Sequence, residues 1–446
     1  MGRTIPLKLF STLLAVLLYV CISAAAWADT YYVSTTGNDA NTGARTKPWR
    51  TIQKAARIAE AGDTVIVAAG KYAGRVNLTR SGKHGSPIIF QARGRVVTQG
   101  FTLMANHARI DGFEITTKSA QEEDGAGVYL MGSGNEVLNN YIHDLYFEGI
   151  LFRTNSPDKS TGTEGNLVRG NRIVRARTAG IHIEGRKNSV DENYISHTLQ
   201  YPKGAPPIGG ADADGIRFFG VGHLISRNSI RDILLRDRGN HEPHIDCFQT
   251  WGPAVNIVFH GNYCDNPNAG QQGWMVHGSG IHHLTIRNNV VRAFRLMNIY
   301  SAPWLTVVNN SFKGDLSYPN TSERGYGIEL HNSPNARVQN NLFYDIGGHR
   351  SPYVEPRDQT SKRGLVAGYN AAYMSDGKPP AGPRRAKDVW QKNPRAVDPK
   401  RLDFRLKSDS PLIDAGITLT NVKQDRKGAP RPQGKRHDIG AYEEKA

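Results

Sequence analysis

The chain has 446 residues, three cysteines and a formal net charge of +16. So few cysteines exclude a disulfide-built scaffold, and the basic excess suits an anionic partner. Length alone suggests two or three domains, unless the chain is a solenoid that adds coils to one continuous core.

The first element in chain order is a targeting segment. Arg3 and Lys8 give a basic start, Leu9 to Ile22 form an apolar run, and Ala26-Trp27-Ala28 supplies an A-x-A cleavage pattern before Asp29. This predicts a secretory signal peptide over 1–28. The apolar run is short for a membrane span, and no stop-transfer pattern follows it. Val20 ahead of Cys21 does not suit a lipoprotein signal. Cleavage removes two basic residues and no acidic one, leaving +14. It also leaves Cys247 and Cys264, which an oxidising compartment permits to pair but does not oblige to. The mature protein is expected outside the cell or in the periplasm, as a monomer. The anionic partners there are uronic-acid polymers, sulfated glycans, anionic lipid and cell-wall phosphate; nucleic acid is not expected. A charge spread over the whole surface for solubility accounts equally well for the excess.

Residues 29–75 read as an N-terminal cap and first coil. Thr51 to Ala59 is the one clear amphipathic helix, placed to cover an edge that would otherwise invite aggregation. Asp63-Thr64-Val65-Ile66-Val67 reads as the first strand.

Residues 76–374 repeat. Asn followed by x-apolar recurs at Asn140, Asn171, Asn193, Asn228, Asn262, Asn289, Asn310 and Asn341, with spacings of 21 to 35 residues. The shortest spacings fit one bare coil, and the excess elsewhere is loop insertion. Asn suits a tight corner because its amide bonds to nearby backbone and it tolerates a left-handed conformation. The apolar residue two places on points inward, as strand alternation requires. A second column precedes each Asn, as in Gly149-Ile150-Leu151-Phe152-Arg153, Gly180-Ile181-His182-Ile183-Glu184 and Gly215-Ile216-Arg217-Phe218-Phe219. Its second and fourth positions are apolar, and its third and fifth alternate outward. No helical period survives among these strand-length runs with Gly and Asn corners. The fold class is therefore all-β, a right-handed parallel β-helix. Residues 375–446 read as an extended Pro-rich and basic connection (375–400), then a final coil and cap.

Ligands on such a solenoid lie along one outward strand face, between long loops. The longest gaps between Asn corners point to cleft loops near 199–213 and 234–245. Stacking the columns places Asp214 and Asp246 at equivalent positions, with Glu148 and Gln272 in the matching place nearby. Neighbouring coils lie about 4.8 Å apart, so the two aspartates would perturb each other's pKa. The third position lines up His182, Arg217 and Gln249. The fifth lines up Arg153, Glu184, Phe219, Trp251, His277, Tyr300 and His331. Aromatic faces there suit sugar rings, and carboxylates and imidazoles move protons. Each residue also has a structural reading: Asp caps turns, Trp251 packs under loops, and charges in an Arg-rich loop are solvated.

Three resemblances follow from these residues. The region from Tyr31 through Pro48 to Tyr72, and the tail motifs Ser410-Pro411-Leu412 and Asp438-Ile439-Gly440-Ala441-Tyr442, resemble the ends of exported bacterial β-helix proteins, pectate-lyase-like ones among them. Asp212-Ala213-Asp214-Gly215-Ile216, Asp246-Cys247-Phe248 and His277-Gly278 resemble the ordered motifs of polygalacturonase-type glycosidases. The match departs at Ile245, where that family has the first carboxylate of its Asp pair. Glu242-Pro243-His244 resembles the Asp-Pro-His of alginate C5-epimerases and related lyases.

The leading expectation is a lyase acting on a uronate-containing polysaccharide by β-elimination. Arg217 or Arg153, or a Ca²⁺ held by Asp212, Asp214 and Asp246, would neutralise the substrate carboxylate. His244 or His277 would take the C5 proton. Glu148, Arg153, His182, Glu184, Gln249, Trp251 and Tyr300 would bind the polymer. A C5-epimerase shares this chemistry and returns the proton differently. A glycoside hydrolase would use Asp214 and Asp246 as its carboxylate pair, and a non-catalytic binder would use the same face without turnover.

Overall fold

Short runs of alternating apolar residues, broken by single left-handed corners, stack in parallel along the whole body of the computed structural model. It describes residues 28–198, 212–234, 244–267, 272–315, 325–349 and 351–445. The expected signal peptide and most of the two expected cleft loops lie outside these residues.

One face of the solenoid is an 11-stranded parallel sheet running from Val76–Leu78 to Val354–Pro356. Two further stacks of strands are joined through the long strand Ile88–Thr98. Its first half pairs with Ala108–Asp111 and its end with Glu114–Ile115. The expected inward column is in register: Ile142, Ile173, Ile195, Ile230, Cys264, Val291, Phe312 and Phe343 pair coil to coil. All are buried, and each large apolar side chain so placed stabilises the fold by roughly 1.5–3 kcal/mol. On the 11-stranded face, Ile150, Ile181, Ile216, Phe248, Trp274, Met297 and Ile328 form the matching core column. Cys247 and Cys264 form a disulfide with their Cα atoms 6.3 Å apart. It links the 11-stranded face to the Asn-corner stack.

The Asn ladder runs from Asn140 to Asn370. Each amide nitrogen donates to the next Asn's Oδ1 at 2.9–3.0 Å. Each also reaches a backbone carbonyl, as Asn228 does to Val190. The left-handed residue is not the ladder Asn. It is the residue before it: Asn139, Gly170, Glu192, Arg227, Gly261, Asn288, Asn309, Asn340 and Tyr369 all have positive φ. The division is physical: the preceding residue turns the chain, which leaves the ladder amide free to point inward and bond.

At the N-terminal end, Thr30–Val33 pairs in parallel with Thr64–Lys71, so the strand expected to be first is the second. The helix is Ile52–Ile58, capped by the Thr51 side chain. Gln53 of this helix satisfies both backbone groups of Asn77, accepting its N–H at 2.8 Å and donating to its carbonyl at 3.1 Å. That covers the open edge of the first strand of the 11-stranded face.

The C-terminal segment differs from an end cap. Val389–Trp390 adds a rung to Ala371–Tyr373. The antiparallel pair Ala396–Asp398 and Asp403–Leu406 and the tail to Tyr442 then pack on the solenoid flank, against Tyr263, Val290, Leu342 and Ala371. The outward amides of the corner residues Asn288, Asn309 and Asn340 donate to the carbonyls of Gln424, Asp438 and Ile417. Corners that turn the chain also dock its tail.

Candidate active site

Three adjacent strands of the 11-stranded face build the site: Ala179–Ile183, Asp214–Phe218 and Asp246–Thr250. Their fourth residues, His182, Arg217 and Gln249, are register partners, as expected. Asp214 and Asp246 open the second and third of these strands. The Asp246 N–H donates to Asp214 Oδ1 at 3.2 Å, so the two acids are direct neighbours. Gln272 is the next partner in that column. Glu148 is two coils the other way, across Ala179.

Arg217 gathers the acids. Its Nε donates to Asp214 at 2.8 Å and its Nη2 to Asp212 at 3.0 Å, and Nη1 lies 3.9 Å from Glu148. Thr178 donates to Glu148 at 2.9 Å, and Gln249 donates to Asp246 at 3.3 Å. Asp214 and Asp246 are fully buried. Burial pushes Asp214 up to about 7 despite Arg217 beside it, with Asp212 adding to the rise. Burial, then Asp214 and Asp212, hold Asp246 well above the usual carboxylate range. Among the described residues, one oxygen each of Glu148, Asp246 and Gln249 is buried without a hydrogen-bond partner. A carboxyl that keeps its proton is the neutral way to sustain such an acid-rich cluster.

His244 stands at the rim. Its side chain is 74% exposed, with Nδ1 3.8 Å from Asp212 Oδ1. Glu242 and Pro243, which precede it in the epimerase-like motif, lie outside the described residues. His277 is exposed on the neighbouring coil. Ile245, at the departure from the polygalacturonase pattern, is buried in the core, so no carboxylate stands there.

A second cluster adjoins the first. Glu184 accepts from the Thr154 N–H at 2.9 Å and meets His182 Nε2 at 3.0 Å. Lys159 and Arg153 lie 3.2 and 3.5 Å from its Oε1, and Arg153 also pairs with Glu122. Against its burial, bonds from His182 and Thr154 and the charge of Lys159 hold Glu184 down at about 2. Burial lowers His182, with Glu184 opposing. Aromatic rings join the clusters: Phe219 stacks on His182 and meets Trp251 edge-on, Lys159 sits 3.7 Å over Phe219, and Arg217 lies 5.2 Å from Trp251.

The structure therefore brings together Glu148, Arg153, His182, Glu184, Asp212, Asp214, Arg217, His244, Asp246, Gln249 and Trp251. Tyr300 is not part of this group. It stacks on His331 at 4.2 Å further along the face, where Arg357 pairs with Glu329 and Glu355. Lys159, Glu122 and Thr178 were not legible as site residues, because they sit outside the strand columns. The 31-residue gap between Asn140 and Asn171 was the only sign of the insertion that carries Lys159.

The carboxylates expected to hold Ca²⁺ do not fit that role as arranged. The Arg217 guanidinium already takes up Asp212 and Asp214. Among the described residues no group of three or more His, Cys, Asp or Glu is placed to ligate a metal.

Comparison with known proteins agrees with the fold. The family described as "Pel9A-like, right handed beta helix region" matches residues 31–218, and "Right handed beta helix region" matches 179–369. The crystal structure of pectate lyase Pel9A superposes with TM-score 0.54 at 17% identity, covering 93% of this chain and 96% of that one. XylC, solved in complex with xylose, superposes with TM-score 0.59 at 12% identity, covering 93% and 98%. The family 6 alginate lyase AlyGC gives 0.52 at 15%, covering 78% and 48%. An uncharacterised protein of Bacillus subtilis, YwoF, is 32% identical over 155 residues; the chain spans 31% of that relative's length. The chain is a right-handed parallel β-helix protein, pectate-lyase-like in its fold.

Proposed function

We propose that the chain is an exported polysaccharide lyase that cleaves a uronate-containing polymer by β-elimination on the outward face around Arg217. The observation that carries this reading is the fully buried Asp214–Asp246 pair, adjoined through the Asp246 N–H and set beside Arg217 and Gln249. With all carboxyls ionised, Glu148, Asp212, Asp214 and Asp246 would outweigh Arg217 and repel an anionic sugar. A proton held in the pair reduces that excess by one charge without abolishing it, and Arg217 and Gln249 supply the donors that draw charge from the uronate carboxylate and acidify the C5 proton. His244, at the rim 3.8 Å from Asp212, takes that proton. The C5–H electrons form the C4–C5 double bond, the C4–O bond breaks, and the departing oxygen takes a proton from water. Phe219 and Trp251 supply ring faces for flanking sugars. Two of the structures with this fold, Pel9A and AlyGC, are named as lyases of pectate and alginate, which supports an acidic polymer.

The test is absorbance near 235 nm with purified mature protein and a panel of uronic-acid polysaccharides, with and without added Ca²⁺. A rise reports the unsaturated product. His244→Ala should then cost about 10²- to 10⁴-fold in rate, and activity should fall as pH climbs through about 7, where Asp214 ionises. A flat trace on every polymer, with new reducing ends from the same samples, overturns the lyase reading. It would favour a hydrolase in which the protonated member of the Asp214–Asp246 pair is the acid. The raised pKa values of that pair support this second reading.

A further inference from the structure

The N-terminal end of the solenoid holds a cavity of about 660 Å³ between the capping helix and the chain that leads into the first strand of the 11-stranded sheet. Five cationic residues line it, Arg50, Lys54, Arg57, Lys71 and Arg75, against one acid, Asp39. Asp39 is already committed, accepting from the Arg50 and Thr51 N–H groups at 2.8 and 2.9 Å and from the Thr51 hydroxyl at 2.7 Å. Arg75 is committed too, donating to Thr102 Oγ1 and to the carbonyls of Phe101, Asp124 and Ala126. The other four have no ion-pair partner among the described residues. Single exposed lysines and arginines are ordinary, but four unpaired cations converging on one concave space make a field that attracts anions.

Its position gives the field a use. Val76, in the first strand of the 11-stranded face, lines the cavity. Arg217 lies five strands further along, past Phe101–Leu103, Val128–Leu130, Ile150–Phe152 and Ala179–Ile183. At about 4.8 Å per step this is about 24 Å along the stack, a span within the length of one extended oligosaccharide. We infer that this basic cavity is a remote subsite that grips carboxylate or sulfate groups of an acidic glycan whose other end lies over Arg217. The inference rests on the acidic-polysaccharide reading above and names a second place where such a polymer is held.

The test compares wild type with a variant carrying Arg50→Ser, Lys54→Ser, Arg57→Ser and Lys71→Ser. Binding to polygalacturonate, alginate and neutral xylan is measured by affinity electrophoresis and titration calorimetry, at two salt concentrations. The expected result is binding of an acidic polymer about tenfold weaker in the variant, with a shallower salt dependence and no change on xylan. Turnover of trimers, too short to reach the cavity, should be unchanged. A single Lys71→Glu variant, which leaves the helix intact, should weaken binding in the same direction; a melting curve by circular dichroism checks that both variants fold. Equal binding of an acidic polymer by wild type and both variants overturns the inference. So does wild type that binds neither acidic polymer, or whose four cations matter only for phosphatidylglycerol vesicles. Loss of acidic-polymer binding in the variants alongside a flat 235 nm trace in wild type would sink the lyase reading and leave the subsite standing.

Discussion

The long Asn ladder and the acid column both run as buried polar residues along this solenoid, and they are built on opposite rules. In the Asn ladder, every central rung is both donor and acceptor. Asn228 donates to Val190 and Asn262 and accepts from the backbone and side chain of Asn193. In the acid column, Glu148, Asp246 and Gln249 each keep a buried oxygen with no partner among the described residues, and two neighbouring carboxyls are pushed up in pKa. The ladder has no group left to offer a ligand and serves the fold. The acid column carries uncompensated polarity, the condition in which a site is able to exchange protons and charge with something that arrives.

The comparison is tested most severely at Arg217, whose guanidinium reaches Asp212, Asp214 and Glu148. Arg217→Ala leaves Asp212, Asp214 and Glu148 without their cation and should cost about 3–5 kcal/mol at pH 8. The loss should shrink at pH 5, below the value of about 7 to which Asp214 is raised, where that carboxyl is protonated and needs no cation. Urea unfolding at both pH values measures it, and an equal, small loss at the two would mean that the cluster is not charge-balanced by Arg217. In the ladder, Asn228→Ala strands the Asn193 N–H groups and the Val190 carbonyl at once. A loss of about 2–4 kcal/mol follows. It should be the same at pH 5 and pH 8, because nothing in the ladder titrates. A pH-dependent loss there would erase the distinction between the columns.

The ladder was readable from the chain because its signal is periodic. Asn followed by x-apolar recurs once per coil, and Ile142, Ile173 and Ile195 fall in register as strand alternation requires. Asn370 continues it unannounced, since Asn370-Ala371-Ala372 offers little apolar bulk. The second ladder, Asn135, Asn166 and Asn188 ending on His223, carries the same x-apolar companion in Val137, Val168 and Val190, five residues ahead of the first, but it stops after three members, where His223 takes the place of Asn and the period breaks. Site residues on strands followed from the same columns, which is why Asp214 beside Asp246 and His182 beside Arg217 were accessible to reasoning. Partners that loops deliver, such as Lys159 onto Glu184, have no register to betray them. Nor does burial: that Asp214 and Asp246 are fully enclosed depends on packing that no spacing encodes.

The smallest expected effect is the most specific to the acid column. Asp246 has a folded-state pKa raised above its unfolded value near 3.8. Above that unfolded value the unfolded chain ionises Asp246 while the folded chain keeps the proton, so stability falls as pH rises until the folded group ionises too. Asp246→Asn removes the titration, keeps an acceptor oxygen and adds only an amide donor. It should therefore raise the melting temperature at pH 8 by a few degrees relative to wild type, with little difference at pH 4, while lowering turnover. Thermal unfolding across that range, paired with the 235 nm assay, measures both. A variant that is less stable than wild type at pH 8 would mean that the Asp246 carboxylate is stabilised where it lies, and the contrast with the ladder would fail at its central residue. A variant that is more stable and less active would show that the fold bears a cost at this position which only function explains.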